Sequence, residues 1–258
     1  MPDELRQQGR DPSRVAEVLR GARRVMVLTG AGVSAESGVP TFREAQTGHW
    51  SRFRPEDLAT PEAFRRNPKL VWDWYAARRA RLEEVEPNPG HHALVELERR
   101  VPEFLLATQN VDGLHARAGS RRILELHGNI TRIKCSSEGV IVEAWEETDE
   151  TPPPCPRCGD WLRPDVVWFN EMLPADVFEE CLEASARCDL FLCVGTSAVV
   201  YPAASIPLEA LRAGAVVVEI NPEPTPLTAQ VQHFLPGLSG VILPKLIRAA
   251  WPDGSNGT

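Results

Sequence analysis

Four short apolar runs stand out along the chain: residues 25–28, 104–107, 190–194 and 216–220, each rich in β-branched, leucine or aromatic side chains. Continuous apolar character over four or five residues, without a polar alternate, predicts strands buried on both faces. A polar or glycine-bearing motif follows each run directly: Thr29-Gly30-Ala31-Gly32, Thr108-Gln109-Asn110-Val111-Asp112, Gly195-Thr196-Ser197 and Asn221-Pro222-Glu223. Helical stretches are predicted over 12–20, 68–84, 91–99 and 202–213. Strands and helices therefore alternate, which implies an α/β doubly wound parallel sheet. In such a sheet the ligand crevice lies outside the carboxyl ends of the strands, so the four motifs are expected to converge on one cleft.

The segment 129–164 breaks this pattern. It carries three cysteines, an acidic run over 143–150 and Pro152-Pro153-Pro154, and reads as an inserted small module. The tail over 251–258 reads as frayed.

Composition narrows the classes available. A chain of 258 residues with 43% hydrophobic content can bury one sizeable core. A net charge of −8 argues against a protein that binds nucleic acid by neutralising phosphates. No stretch approaches the roughly 18 uninterrupted apolar residues of a membrane span, and the N-terminus lacks the layout of a secretory signal, so a cytoplasmic protein is expected. Cys181, Cys188 and Cys193 sit in apolar surroundings and read as core thiols.

Gly30-Ala31-Gly32 after a strand would let backbone N–H groups approach a pyrophosphate. Alone it is also an ordinary strand-to-helix turn, and the third glycine is not where a dehydrogenase places it. The longer string from Gly30 to Arg43, GAGVSAESGVPTFR, closely resembles the sirtuin signature over fourteen consecutive positions. The resemblance continues through Gln109-Asn110-Val111-Asp112, Leu126-His127-Gly128, Gly195-Thr196-Ser197 and Asn221-Pro222-Glu223, and covers essentially residues 15 to 245.

The resemblance implies a Rossmann-like domain formed by residues 1–40, 101–127 and 165–258. Beside it would stand a small domain with a helical part, 41–100, and a zinc-ribbon-like part, 128–164, with NAD in the cleft between. It further implies that NAD is consumed: nicotinamide leaves, the acyl oxygen of a modified lysine attacks the ribose, an alkylamidate forms, and the products are lysine, nicotinamide and O-acyl-ADP-ribose. The partners would be acylated lysines of proteins or peptides, with no nucleic acid and no membrane.

On the same resemblance His127 is the general base, a role that an imidazole of reference pKa near 6.5 can fill at neutral pH. Asn110 and Asp112 would meet the nicotinamide ribose and carboxamide, although Asn-x-Asp-Gly is also a good turn. Gln109 would reach the ribose, Arg43 would clamp phosphate, and Thr196 and Ser197 would donate to phosphate. Asn221 and Glu223 would address the adenosine ribose. Gly30, Ala31, Gly32, Ser34, Ala35, Phe42, Gly195, Pro222 and Ser239 complete the implied cofactor set. His49, His91, His92, His115 and His233 receive no catalytic role and are expected at solvated or capping positions.

Tyr75 and Arg78 stand at i, i+3 on one helix face, so a phenol and a guanidinium could converge on one anion. The same spacing, beside Arg79 and Arg81, is also that of a solvated basic face. Tyr-x-x-Arg resembles the feature by which the desuccinylase and demalonylase branch of the family recognises a terminal carboxylate. Glu36, Thr41 and Asp57-Leu58-Ala59-Thr60 match that branch too, with Ala59 leaving room for a longer acyl chain. Val166-Val167-Trp168-Phe169-Asn170-Glu171 resembles the family strand that pairs with the substrate peptide, so Val167 and Phe169 are substrate candidates. Asn170 stands where the family usually has glycine, and asparagine tolerates the left-handed conformation such a turn would need.

Cys155-Pro156-Arg157-Cys158 has zinc-knuckle spacing, and Cys135 lies twenty residues earlier. The expected fourth position is Glu138, an uncommon structural zinc partner. A structural zinc on Cys135, Cys155 and Cys158 stands against a degenerate module held by packing alone. Two further readings use the same pocket: ADP-ribosyl transfer to protein, and a non-catalytic NAD sensor. A dehydrogenase is disfavoured, because the chain has no clear acidic residue at the ribose-discriminating offset.

Overall fold

The computed structural model describes residues 11–40, 53–146 and 151–252. Thr41, Phe42, Arg43 and His49 lie outside the described residues.

Helix α1, Pro12–Gly21, starts where its sequence says it should. Asp11 caps it by accepting from the Ser13 N–H, and Pro12 occupies the first turn, where no amide donor is needed. Strand β1, Arg24–Thr29, follows, then the short helix α2, Ala31–Ala35. Helices α3, Pro61–Arg66, α4, Pro68–Glu83, and α5, Pro89–Arg100, precede β2, Glu103–Thr108, α6, Leu114–Ala118, and β3, Ile123–Glu125. The hairpin of β4, Gly128–Cys135, and β5, Leu162–Val166, comes next, then α7, Ala175–Arg187, and β6, Leu190–Val194. The chain closes with α8, Ile206–Arg212, β7, Val216–Asn221, β8, His233–Pro236, and α9, Ser239–Ala250.

Six parallel strands form one sheet in the order β3-β2-β1-β6-β7-β8. The strand order reverses between β1 and β6, which places the ligand crevice there. All four predicted strands are present with nearly the predicted limits. The two outer strands, β3 and β8, were not predicted, because three and four residues are too short to show a period. The stretch predicted as one helix over 202–213 divides into a 3₁₀ turn, Ala203–Ser205, and α8.

One sheet face packs against α1, α5 and α9 through Leu19, Leu94, Leu97, Leu192 and Leu246, and the other against α7 and α8 through Phe191, Cys181 and Ile206. Helix α5 thus joins the core of the sheet, whereas the sequence assigns 41–100 as a whole to the small domain. Its apolar positions Ala93, Leu94 and Leu97 recur at helical spacing and meet the sheet side. Helices α3 and α4 form a separate core with Val166 and Trp168, around Leu58, Ala59, Phe64, Trp74 and Tyr75. A fourth cluster holds Cys135, Cys155, Ile133, Val142 and Leu162 together with Trp72. Cys181 and Cys193 are buried as expected and Cys188 half-buried; burial pushes the thiols of Cys181 and Cys188 up to about 12.

Candidate active site

The strand-end motifs are stitched to one another mainly by backbone. Gly30 N–H donates to the Val194 carbonyl at 3.0 Å and Gly32 N–H to the Gly195 carbonyl at 2.8 Å. A Cβ on Gly30 or on Gly32 would lie 2.8 Å from that same Gly195 oxygen, and one on Gly195 would lie 2.5 Å from the Val33 nitrogen. These glycines are therefore required by the approach of two loops, and their N–H groups are used between the loops, contrary to the expectation that they turn toward pyrophosphate. The effect is nonetheless a cradle. Gln109 Nε2 donates to Thr196 Oγ1 at 2.9 Å, Asn221 Nδ2 to the Thr196 carbonyl at 3.0 Å, and Asn110 Nδ2 to the Gly30 carbonyl at 3.1 Å. Thr196 Oγ1 also accepts from the Ala198 N–H, which leaves its own O–H to donate elsewhere. Ser197, Pro222 and Glu223 are exposed at the rim, as is Ala35. A bed of amides, hydroxyls and closely approaching backbone at the reversal of strand order fits a dinucleotide.

His127 lies between β3 and β4, directly before Gly128. Its Nδ1 lies 2.9 Å from the Gln109 carbonyl, and since a carbonyl can only accept, Nδ1 carries the proton and Nε2 keeps its lone pair. Burial lowers the pKa of this imidazole, with the Gln109 contact opposing the shift, so the ring is neutral and basic at physiological pH. Gly128 sets the turn that follows: its φ is +75°, and a Cβ there would sit 2.2 Å from the Asp165 carbonyl oxygen.

Asn110 and Asp112 are both buried. Asn110 Nδ2 donates to Ser34 Oγ at 3.0 Å, and Asp112 accepts from the Leu114 N–H at 2.9 Å. Burial raises the Asp112 pKa, opposed by hydrogen bonds from Leu114 and Ser34 and by the charge of Arg78. His91 Nδ1 accepts from the Asn88 N–H at 3.2 Å, which fixes the proton on Nε2, 3.5 Å from Ser34 Oγ. His91 thus caps α5 as expected, but from a fully buried position. His115, expected to be solvated or capping, is also buried, with Nε2 2.9 Å from Thr29 Oγ1 and its ring 4.8 Å from that of His91. Burial holds His91 down at about 4 and His115 at about 3. The contact of His91 with Ser34 was missed; Asn88, three residues before His91 at a helix start, is the one signal in the sequence that turns this ring inward. Ser239, read as a cofactor residue, donates to Glu36 Oε1 at 2.8 Å, as does the Gly240 N–H.

The predicted substrate positions also meet. Strand β5 stops at Val166, yet Val167 N–H donates to the His127 carbonyl and Phe169 N–H to the Ala59 carbonyl, each at 2.9 Å. Phe169 is exposed, and Asn170 adopts the left-handed conformation at φ +69°, so the turn survives the missing glycine. Tyr75 is fully buried, and its hydroxyl accepts from Trp168 Nε1 at 3.1 Å. Arg78 lies over the ring of Trp74 at 4.8 Å and is 5.9 Å from that of Tyr75. This is not the open basic face that the neighbouring arginines suggested.

The sulfurs of Cys135, Cys155 and Cys158 lie within 4.8 Å of one another, a separation that one tetrahedral zinc can span. Glu138, the uncommon zinc partner at the expected fourth position, is turned to another group. Its carboxylate pairs with Arg157 at 3.0 Å, whereas the Ser137 hydroxyl lies 3.8 Å from both Cys135 and Cys158 sulfurs. Three thiols fit a structural zinc, and the Ser137 hydroxyl stands beside two of them.

Comparison with known proteins agrees with this geometry. Residues 30–202 match the model of the Sir2 family. A protein of Deinococcus radiodurans named NAD-dependent protein deacylase is 53% identical over 230 residues, covering 87% of this chain and 94% of its own. Among solved structures, a Sir2 homologue in complex with NAD is 44% identical, with a TM-score of 0.87 and 94% of each chain covered. A second, bound to a myristoylated histone peptide, is 34% identical with a TM-score of 0.73, covering 93% of this chain and 95% of its own. The likeness thus runs along nearly the whole chain, and the chain belongs to the Sir2 family.

Proposed function

We propose that this chain, an NAD-dependent protein deacylase, accepts acyl groups ending in a carboxylate, succinyl and malonyl, as well as acetyl. The observation that carries the charged-acyl reading is the pairing of a buried phenol, Tyr75, with Arg78 in the α3/α4 module, next to Ala59 and the 166–171 segment. Bound in the cleft, NAD supplies an electrophilic ribose carbon and a leaving nicotinamide. Gln109, Asn110 and Asp112 would orient the ribose and the carboxamide, and His127 Nε2, whose ring partner Nδ1 is spent on the Gln109 carbonyl, would take a proton from a ribose hydroxyl. Val167 and Phe169 lie within the segment that would pair with the peptide of the acylated lysine.

An Arg78→Met enzyme tests the carboxylate site. A hydrogen bond to a charged group contributes about 1.5–3 kcal/mol, so desuccinylation should fall by roughly one to two orders of magnitude relative to deacetylation. Equal loss of both would remove the charged-acyl reading, and mass analysis should find O-succinyl-ADP-ribose as the product. ADP-ribose attached to the target protein would instead favour transfer. A cytoplasmic setting is supported by six free cysteines, and among the described residues no helix is long and apolar enough to cross a membrane.

A further inference from the structure

We propose that Trp168 is a specificity-determining positioning residue: its indole N–H fixes the direction of the Tyr75 hydroxyl proton, so that the hydroxyl presents itself as a donor to the distal carboxylate of the acyl group. The inference rests on the reading of Tyr75 and Arg78 as the carboxylate site. A phenol can donate or accept, and an isolated one rotates between the two in its plane. An indole N–H can only donate. At 3.1 Å from Trp168 Nε1, the Tyr75 oxygen must therefore spend a lone pair on the indole. No acceptor among the described residues takes its proton, which is left to a ligand. Burial pushes the Tyr75 pKa up to about 12, so the proton is present at any physiological pH.

The indole is itself held from several sides. The Trp168 backbone N–H donates to Glu171 Oε2 at 2.8 Å, and the left-handed Asn170 turns the chain so that the Glu171 backbone N–H reaches back to the Trp168 carbonyl at 3.1 Å. Arg163 grips Glu171 with two hydrogen bonds of 2.6 and 2.9 Å, donates to the Val166 carbonyl at 2.9 Å and lies 3.3 Å over the Trp168 ring. Phe64 packs against the indole at 5.2 Å. A side chain fixed this firmly can orient a neighbour without an entropic cost at the moment of binding.

The test compares kcat/KM for a succinyl and an acetyl peptide. Trp168→Phe should lower the succinyl-to-acetyl ratio about five- to tenfold, mainly through KM for the succinyl peptide. In a Tyr75→Phe background the same change should leave the ratio where Tyr75→Phe has already put it, because no hydroxyl remains to be oriented. A fall of both activities by one factor, or ratio effects of the two substitutions that multiply, would overturn the proposal. If Trp168→Phe does not fold, benzothienylalanine placed at 168 keeps the ring and deletes only the N–H, with the same outcomes. Arg78→Met separates the two levels of the argument: a selective loss there with an unselective effect at 168 sinks the role of Trp168 alone, whereas an unselective loss at Arg78 sinks the carboxylate site on which it depends.

Discussion

The cofactor end and the acyl end of the site are held by different means. Around Gly30, Gly32 and Gly195 the contacts run largely between backbone groups, in places where a single Cβ would collide. Around Tyr75 they run mainly through long side chains, from Arg163 to Glu171, from Glu171 to the Trp168 backbone N–H, and from the Trp168 indole to Tyr75. Backbone contacts of this closeness leave little to vary, which suits a ligand that never changes. Side-chain contacts can be replaced one at a time, which suits the choice among acyl groups. His127 stands at the junction, with its ring on Gln109 of the cofactor end and its carbonyl on Val167 of the acyl end.

The largest effect should come from that junction. In His127→Asn the proposed base is gone while both ends stay intact, so kcat should fall by about 10²–10⁴ with NAD binding retained, measured by steady-state rates beside calorimetric titration. Loss of NAD binding in step with kcat would mean that His127 holds the cleft together and does not act as the base.

Breaking the acyl end calls for Glu171→Gln. It leaves the Arg163 guanidinium, 8% exposed, facing a neutral amide. Removing one partner of a buried pair costs about 3–5 kcal/mol; with Glu171 24% exposed, a loss of about 2–3 kcal/mol in denaturant unfolding is expected. The cofactor end should survive, seen as unchanged NAD affinity in the folded protein. Equal damage to NAD affinity would show that the two ends are one unit.

Acid should separate the ends as well. His91 and His115, both behind Ser34 and Thr29, are held at about 4 and about 3 against an unfolded value near 6.5. Between those limits the unfolded chain binds protons that the native one refuses, so stability is full above pH 6.5 and declines as pH falls, by about 2 kcal/mol per imidazole at pH 5. Glu171 runs differently: burial opposes its ionisation, but Arg163 and the Trp168 N–H hold its pKa below the usual carboxylate value. Its contribution is present above about pH 4.5 and lost only below that. Unfolding followed from pH 7.5 to 5 should thus report the cofactor end, and His115→Gln should flatten the slope. A slope unchanged in that variant would mean that His115 is not kept neutral in the native state.

What the sequence disclosed follows the same division. The four inner strands and the motifs after them were legible, because burial on both faces writes a continuous apolar run and the loops carry glycine where backbones touch. β3 and β8 were not, being too short for a period, nor was the attachment of α5 to the sheet, since an apolar helix face does not name its partner. At the site, His127, Asn110 and Asp112 stand out only by resemblance to a family, and the fold sets the His127 ring on the carbonyl of Gln109, next to Asn110. The inward turn of His91 and the clamp of Arg163 and Glu171 on Trp168 were missed, for each depends on residues brought together only by folding.

The smallest effect concerns the metal module, which meets the acyl end only through Trp72 of α4 and whose fourth side the cysteine spacing leaves to Glu138, an uncommon zinc partner. Glu138 spends its carboxylate on Arg157, an exposed pair of the kind that contributes about 0–1 kcal/mol. Glu138→Gln should therefore leave zinc content and Tm almost unchanged. Cys158→Ser removes one of only three clustered thiols and should lower zinc retained against a chelator by at least tenfold, read by metal analysis and not by activity. Ser137→Ala should fall between the two, since its hydroxyl is the oxygen close to both sulfurs. Should Glu138→Gln lose zinc as readily as Cys158→Ser does, the carboxylate must leave Arg157 when metal arrives, and the fourth side of the site would belong to it after all.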